Sequence, residues 1–445
     1  MEIEVIAVGG YDEVGRNMTA VRCGKEIVIF DMGLRLDQLM IHEDAEVDEM
    51  HSLDLIRIKA IPDDTMLASV PGTVKAIVCS HGHLDHIGAI PKLAHRYNAP
   101  IIATPYATEL IRQQISGEKK FAANNKLFAL KAGQRYTISP NLVLEFVHTQ
   151  HSIIDTVSPV LHTPHGAIVY ACDFKLDRTP VIGSPPDFAR FRQLGKEGVL
   201  ALIVESTYIN RSGRCPSERI ARDLVRDVIT SFEDDKSAIL VSTFSSHIAR
   251  VKTIAECAHE IGRKPVFLGR SMEKYAVTAE QMKYVSFPET SSVYGNRRTV
   301  DRVMRRMMKE GKDKFLPIIT GHQGEPGSIL TRLALGDTPY TLNKGDKVLF
   351  SANVIPNPMN YGQRYVIEQH LKKTGARVFE DLHVSGHAYR EDHYEFIQML
   401  QPQHIVPAHA DMQMTSGYVQ FAGDLGYTLD NDVHLMRNGQ RLMLK

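Results

Sequence analysis

No run of the 445 residues is long and apolar enough to span a bilayer, so no membrane partner is expected. The opening residues Met1-Glu2-Ile3-Glu4-Val5 enter a strand pattern directly and lack the basic-then-apolar layout of a secretory signal. Cysteine is scarce. Cys23, Cys79, Cys172, Cys215 and Cys257 are odd in number and have no paired spacing, which argues against a disulfide framework and against a thiolate zinc site. Small buried residues in a reducing compartment are the expectation, and the location expected is cytoplasmic. Charge of one sign is missing too: 52 basic and 52 acidic residues leave a formal charge of zero, so any nucleic-acid footprint must be local. There is no low-complexity segment and no evident short-period repeat. With 43% hydrophobic and 23% charged residues, the chain has the composition of an ordinary globular protein with core enough for two or three domains.

What is concentrated instead is histidine, in Ser80-His81-Gly82-His83-Leu84-Asp85-His86. An apolar run, Ala76-Ile77-Val78-Cys79, precedes it. Ile87, Ile90, Leu93, Ala94 and Tyr97 follow at helical spacing, which predicts one helix. The cluster therefore sits between a buried strand and a helix, where rigid elements hold a loop from both sides. His81 and His83, two apart, can converge on one cation; Asp85 and His86 project differently and suit a second. Imidazole and carboxylate donors favour Zn²⁺ or Mn²⁺.

Other buried runs end in the same residue types. Ile27-Val28-Ile29-Phe30 ends in Asp31, Leu142-Val147 runs into His148 and His151, Ala167-Ala171 ends in Cys172-Asp173, and Ala201-Val204 ends in Glu205. Chance would scatter such residues, so one face of a sheet sandwich carries a single site. Between the strands at 2–8 and 26–30 lies the glycine-bearing turn 9–17, readable as a phosphate cradle or as a plain hairpin loop. Residues 35–68 form a long acid-rich connection, either a solvated insertion or a gating or dimer-contact segment.

From about residue 209 strands alternate with helices, which predicts a parallel, doubly wound sheet. Ligands of such sheets bind outside the strands' carboxyl ends. Those ends read Ser242-Thr243-Phe244-Ser245-Ser246-His247, Gly321-His322-Gln323-Gly324-Glu325-Pro326 and Ser351-Ala352-Asn353-Val354-Ile355-Pro356. These residues fit an anion pocket, and ordinary turns use them as well. A helix at 297–311 carries Arg297, Arg298, Arg302, Arg305, Arg306 and Lys309, either a solvated face or a polyphosphate contact. Finally His383-Val384-Ser385-Gly386-His387 precedes another buried run, Ile405-Val406-Pro407-Ala408, that ends in His409. The chain returns to its first domain here, which makes the doubly wound domain an insertion.

The stretch 81–86 matches H-x-H-x-D-H, the signature of the metallo-β-lactamase hydrolases. Glu205, the His387 of Ser385-Gly386-His387 and the His409 of Pro407-Ala408-His409 resemble motifs A, B and C of the nucleic-acid-processing β-CASP branch. With Gly-His-Gln-Gly-Glu-Pro (321–326) and Gly-Gly-x-x-Glu-x-Gly-x-Asn (9–17), the chain resembles the ribonuclease J family over essentially its whole length. It departs from the bacterial members, which carry a C-terminal domain; only residues 410–445 follow His409, as in shorter archaeal forms. The resemblance implies an α/β fold: a metallo-β-lactamase αββα sandwich (1–208 and 386–445) with an inserted β-CASP domain (209–385). It implies that His81, His83 and His151 hold one metal, that Asp85, His86 and His409 hold the other, that Asp173 bridges them, and that Asp31 supports the site. His151 is preferred to His148 because His151-Ser152-Ile153-x-Asp155 matches the family.

Two Zn²⁺ per subunit, or Mn²⁺, would supply an activated water and neutralise charge on the phosphoryl oxygens. His387 would assist the departing oxygen, oriented by Glu205. Ser385, Gly386, Ser245, Ser246 and His247, with His322, would hold a 5′ monophosphate, and a fixed distance from that pocket to the metals would impose stepping from the 5′ end. The function implied is a 5′→3′ exoribonuclease acting on single-stranded RNA with 5′-monophosphate ends, as a homodimer. The rivals are an endonuclease of the RNA 3′-end-processing type and a non-catalytic RNA-binding scaffold.

Overall fold

The computed structural model describes residues 2–41, 50–355 and 358–444. Glu43, Asp44, Glu46, Asp48 and Glu49 of the acid-rich connection lie outside the described residues, as does Pro356. The chain forms two compact units. The first comprises Met1–Leu176, Pro185–Cys215 and Gly386–Lys445; the second comprises Asp177–Ser184 and Pro216–Ser385.

Two mixed sheets build the first unit. One contains β1 (Ile3–Gly9), β2 (Met18–Cys23), β3 (Glu26–Phe30), β4 (Thr73–Val78), β5 (Ile101–Ala103), β6 (Leu127–Ala129) and β19 (Arg441–Leu444), in the order β19-β1-β2-β3-β4-β5-β6. The other contains β7 (Arg135–Ser139), β8 (Leu142–His148), β9 (Val157–Thr163), β10 (Gly166–Ala171), β11 (Val199–Glu205) and β18 (His404–Ala408), in the order β18-β11-β10-β9-β8-β7. Val5, Val28, Phe30 and Val78 of the first sheet meet Leu144, Phe146, Ile168, Tyr170 and Ile203 of the second in one buried core. Phe30 and Tyr170 stack with ring centroids 5.0 Å apart. The outer face of the second sheet packs on helices Phe188–Glu197, Arg390–Leu400 and Met412–Gly423 through Phe191, Leu194, Phe396 and Phe421. Strands covered on both faces read as continuous apolar runs, and β1 and β11 are buried at every residue. β18 pairs parallel with β11, so the end of the chain completes the sheet that its first half began.

The helix expected through Ile87, Ile90, Leu93, Ala94 and Tyr97 is broken. Helices Leu84–Ile87 and Ile90–Leu93 are separate, and a 3₁₀ turn follows at Ala94–Arg96. Pro91 has no N–H to give the Ile87 carbonyl, and its ring clashes there. Ala89 N–H donates instead to Met32 O at 2.9 Å, which ties the break to the loop after β3.

The second unit is a sheet of β12 (Ile239–Ser242), β13 (Lys264–Leu268), β14 (Ser292–Tyr294), β15 (Phe315–Ile319), β16 (Lys347–Phe350) and β17 (Arg377–Phe379). Their order is β14-β13-β15-β12-β16-β17, and every pairing is parallel. Intervening helices such as Ile248–Glu260 and Arg297–Glu310 bury apolar stripes against it. Asp177–Ser184 joins this unit because Asp177 Oδ2 accepts from Glu218 N–H at 2.7 Å, and Ser217 Oγ donates to Thr179 O at 2.8 Å.

Candidate metal centre

Six strand ends supply the site. Asp31 follows β3, His81 follows β4, His151 follows β8, Asp173 follows β10, Glu205 closes β11 and His409 follows β18. Asp31, Asp173 and His409 have φ of 59°, 84° and 53°. Side-chain-bearing residues rarely adopt this left-handed region, and each instance costs about 1–3 kcal/mol. At each of these positions the chain turns sharply out of the sheet at the residue that carries the functional group.

Three sets of donor atoms result, each mutually within 4.8 Å: His81, His83, His151 and Asp173; Asp85, His86, Asp173 and His409; and Asp173, Glu205 and His387. In the first, His83 Nδ1 lies 3.1 Å from His81 Nε2 and 3.1 Å from His151 Nε2. Asp173 Oδ2 is 3.2 Å from His151 Nε2 and 3.5 Å from His81 Nε2. In the second, Asp173 Oδ2 is 3.3 Å from His86 Nε2 and Asp173 Oδ1 is 3.3 Å from His409 Nε2. Asp85 Oδ2 lies 3.5 Å from His86 Nε2 and 3.7 Å from His409 Nε2.

These spacings fit a divalent cation in each of the first two sets. Donors about 2.1 Å from a tetrahedral ion stand about 3.4 Å apart. Asp173 Oδ1 is buried and has no hydrogen bond among the described residues, a costly state for a carboxylate oxygen unless a cation meets it. The donors are imidazole nitrogens and carboxylate oxygens with no thiolate, a set suited to borderline or hard divalent ions.

The rings are held from behind. His86 Nδ1 is 2.7 Å from Asp31 Oδ2, His151 Nδ1 is 2.7 Å from Gly386 O, and His409 Nδ1 is 2.7 Å from Asn17 Oδ1. His81 Nδ1 is 3.0 Å from Ser80 Oγ. Acceptors at Nδ1 leave the Nε2 lone pair pointing into the site. Ser80 N–H and Oγ–H also donate to Asp31, at 2.8 and 2.9 Å. Nothing in the residue types of Asn17 and Ser80 marks them as site residues, although Asn17 closes the glycine-bearing motif 9–17. That motif is a scaffold: Glu13 accepts from Gly10 N–H at 3.1 Å and pairs with Arg16 at 2.9 Å. Gly10 has φ 86°, and a Cβ there would lie 2.3 Å from Asn17 Oδ1. His148 joins none of the three sets.

Burial, only partly offset by the nearby carboxylates, pushes His83 down to about 4 and holds His81 and His151 well below the usual imidazole range. They are therefore neutral, which is the ligating form. His387 differs. Burial would lower it, but Glu205 and Asp173 raise it to about 9. Its Nδ1 is 2.6 Å from Glu205 Oε2 and 3.8 Å from Asp173 Oδ1. Glu205 Oε1 accepts from Phe174 N–H at 2.9 Å, which fixes the carboxylate. The side chains of His81, His86, His151, Asp173 and His409 are at most 2% exposed, whereas Asp85 is 30% and His387 22% exposed. The centre opens to solvent on the Asp85 and His387 side.

The anion-pocket residues belong to the second unit, apart from Gly386. Ser245, Ser246 and His247 follow β12, and His322 follows β15, its neighbour in the sheet. Thr243 Oγ1 donates to Ser351 O at 3.0 Å, joining the loops after β12 and β16. Ser245, Ser246, His322 and Ser385 are buried. His247 caps helix Ile248–Glu260, and its Nε2 lies 3.4 Å from Glu218 Oε2. Burial pushes His322 down to about 3, so it is a neutral ring, packed edge-on to Phe244 at 4.0 Å.

The two-sheet unit and a His/Asp cluster with one shared carboxylate define a metallo-β-lactamase hydrolase, and the parallel insertion defines its β-CASP branch. Residues 67–179 match the metallo-β-lactamase superfamily, residues 236–367 match "Ribonuclease J, beta-CASP domain", and residues 375–434 match "Zn-dependent metallo-hydrolase RNA specificity domain". The chain is 52% identical over 442 residues to a ribonuclease J of Methanocaldococcus jannaschii, covering 99% of both chains. It is 44% identical over 438 residues to one of Pyrococcus abyssi, covering 98% of this chain and 96% of that one. It belongs to the ribonuclease J family. A crystal structure of a protein of unknown function from Enterococcus faecalis shares the fold at a TM-score of 0.65, with 18% identity and full coverage of both chains.

Proposed function

We propose that this protein is a metal-dependent ribonuclease that degrades single-stranded RNA 5′→3′ and prefers 5′-monophosphate ends. Two Zn²⁺ per subunit are the proposed occupants of the centre, with Mn²⁺ as the alternative. The observation that carries the reading is Asp173, one buried carboxylate facing two sets of imidazole nitrogens at 3.2–3.5 Å. His81, His83 and His151 would hold one ion, and Asp85, His86 and His409 the other. Bound there, two divalent ions supply a water of lowered pKa and positive charge for the phosphoryl oxygens. Asp31, Asn17, Ser80 and the Gly386 carbonyl keep the Nε2 atoms aimed. Glu205 accepts from His387 Nδ1 and leaves His387 Nε2 to serve the departing oxygen on the exposed side.

The 5′-end preference rests on the inserted segment 209–385. There Ser245, Ser246 and His322 lie on loops at the carboxyl ends of adjacent parallel strands, where such sheets bind anions. Ser385 and His247 complete the proposed pocket, His247 through its hold on the helix that follows. A cytoplasmic homodimer completes the reading. It is supported by free cysteines, by the absence among the described residues of any helix able to cross a membrane, and by exposed Tyr361, Tyr365 and Val366.

The test is digestion of end-labelled RNA bearing a 5′ monophosphate, a 5′ hydroxyl or no end at all, with Zn²⁺ or Mn²⁺. Stepwise release from the 5′ end of the monophosphate substrate is expected, with the circle intact. Efficient cutting of the circle would replace the exonuclease by an endonuclease. Full activity of metal-verified Asp85→Ala would remove the metal centre from the mechanism.

A further inference from the structure

Helix Arg297–Glu310 joins β14, the edge of the parallel sheet, to β15. It buries Val300, Met304 and Met307, three residues on one stripe. On the opposite side Arg298, Arg302, Arg305 and Lys309 stand at helical spacings of four, three and four, within one narrow arc, and all four are exposed. None of the four forms an ion pair among the described residues. The helix's two acids are engaged elsewhere: Asp301 pairs with Arg332 at 3.3 Å and Glu310 with Arg306 at 2.6 Å.

Folding favours only part of this arrangement: Lys309, in the last turn, suits the helix dipole, and the three arginines before it do not need to share its face. Like charges at i, i+3 and i, i+4 repel. Arg297 and Arg298 occupy the first turn, where the helix dipole disfavours cations and where no acid is present. In a chain of zero net charge the stripe is a local excess.

We propose that this face is a second RNA contact, which takes the sugar-phosphate backbone of single-stranded RNA. The proposal rests on the ribonuclease reading above. From Arg298 to Lys309 the stripe runs about 16 Å along the helix. A stacked strand carries one phosphate per about 3.4 Å, so the stripe can face about five. Arginine forks match phosphate oxygens. A protein partner is disfavoured, because the helix exposes no large apolar side chain to anchor one.

The experiment measures affinity for a single-stranded RNA of about 30 nucleotides across a salt series, with the full chain and with metal withheld so that the RNA survives. The quadruple R298Q/R302Q/R305Q/K309Q variant is compared with a control of equal charge change, R57Q/R112Q/R222Q/R226Q. The control residues are surface arginines already paired with acids. Four lost contacts lower the slope of log affinity against log salt by about 2.8. Between about 50 and 200 mM salt the variant then loses about 50-fold less affinity than the wild type does. The control keeps the wild-type slope, and the charge-preserving R298K/R302K/R305K variant keeps most of it. A quadruple variant with the wild-type affinity and slope overturns the proposal, even if the stripe then captures an acidic protein. So does a control that loses as much as the quadruple variant. A wild-type chain that neither binds nor degrades RNA overturns the ribonuclease reading itself.

Discussion

Asn17→Ala should empty one half of the metal centre and leave the other. Asn17 Oδ1 is 2.7 Å from His409 Nδ1, while its Nδ2 donates to Asp85 O at 3.1 Å and lies 3.2 Å from His86 Nε2. All three contacts belong to the set Asp85, His86 and His409; none reaches His81, His83 or His151. The backbone bonds Asn17 N–H to Asp85 O and Gly33 N–H to Asn17 O survive the substitution, so the loop keeps its path. Two costs follow. A buried His409 Nδ1–H without an acceptor destabilises the fold by about 1–3 kcal/mol. Loss of a partner behind a ligand weakens metal binding about 10–100-fold, or about 1.4–2.7 kcal/mol. At limiting free Zn²⁺ the proposed occupancy of two ions should fall to one in the variant, and added metal should restore kcat/KM. Adding Asp85→Ala should remove nothing more; adding His151→Ala should remove the remaining ion. Two ions held at wild-type affinity, or a loss that Asp85→Ala deepens and His151→Ala leaves unchanged, would refute the assignment of Asn17 to this half.

His387→Asn should lower kcat by about 10²–10⁴ with metal content unchanged, as read by turnover and metal analysis on one sample. Gly33→Ala should lower activity about 10²-fold, because its Cβ would sit 1.6 Å from Asp85 O and 2.4 Å from Asp85 C, both backbone atoms. The Asp85 loop would have to move, and a 1 Å displacement of a reacting group costs about 10²-fold; wild-type activity would refute the close approach. Glu218→Gln should cost about 3–5 kcal/mol at neutral pH, since Arg250, itself fully buried, would lose its carboxylate partner at 2.7 Å. Burial would raise the Glu218 carboxyl, but Arg250 and His247 hold it well below the usual range. A depressed folded value means its contribution is complete above about pH 4.3 and is lost as pH falls below it. Thermal unfolding should therefore show the gap between wild type and variant narrowing on acidification. A gap that widens would reverse the assigned charge state.

The sequence revealed the strand ends because buried strands announce themselves as apolar runs and a polar residue that ends one stands out. On that pattern alone Asp31, His81, His151, Asp173, Glu205 and His409 read as members of one face. It failed where the signal is relational. Ser80 and Asn17 are ordinary turn residues by type, and only the 2.7–3.0 Å distances to His409 and His81 show their role. The strands β6, β7, β14 and β19 are short and partly exposed, which leaves no apolar run to find, and in fully buried β2 Thr19 and Arg22 break the run. β9 is interrupted by Pro159, whose missing N–H usually demotes a strand. Helical periodicity after His86 was real, but it continued past Pro91, where an unbroken helix could not.

The left-handed turns at Asp31, Asp173 and His409 carry a further consequence. At such φ values glycine would relieve about 1–3 kcal/mol at each position, and local propensity alone would select it. Glycine has neither a carboxylate nor an imidazole. The two requirements meet at the same residue because each strand must end, turn and present a donor within one position. Asp31 shows that the geometry is imposed from outside the turn. Its N–H donates to Val78 O at 2.8 Å while its carboxylate accepts from Ser80 and faces His86. Asp31→Gly should therefore ease the backbone yet lose more than it gains. The buried His86 Nδ1 and the Ser80 N–H would both lose their acceptor, at about 1–3 kcal/mol each. A variant more stable than the wild type would mean that the strain, and not the hydrogen bonds, dominates this corner of the site.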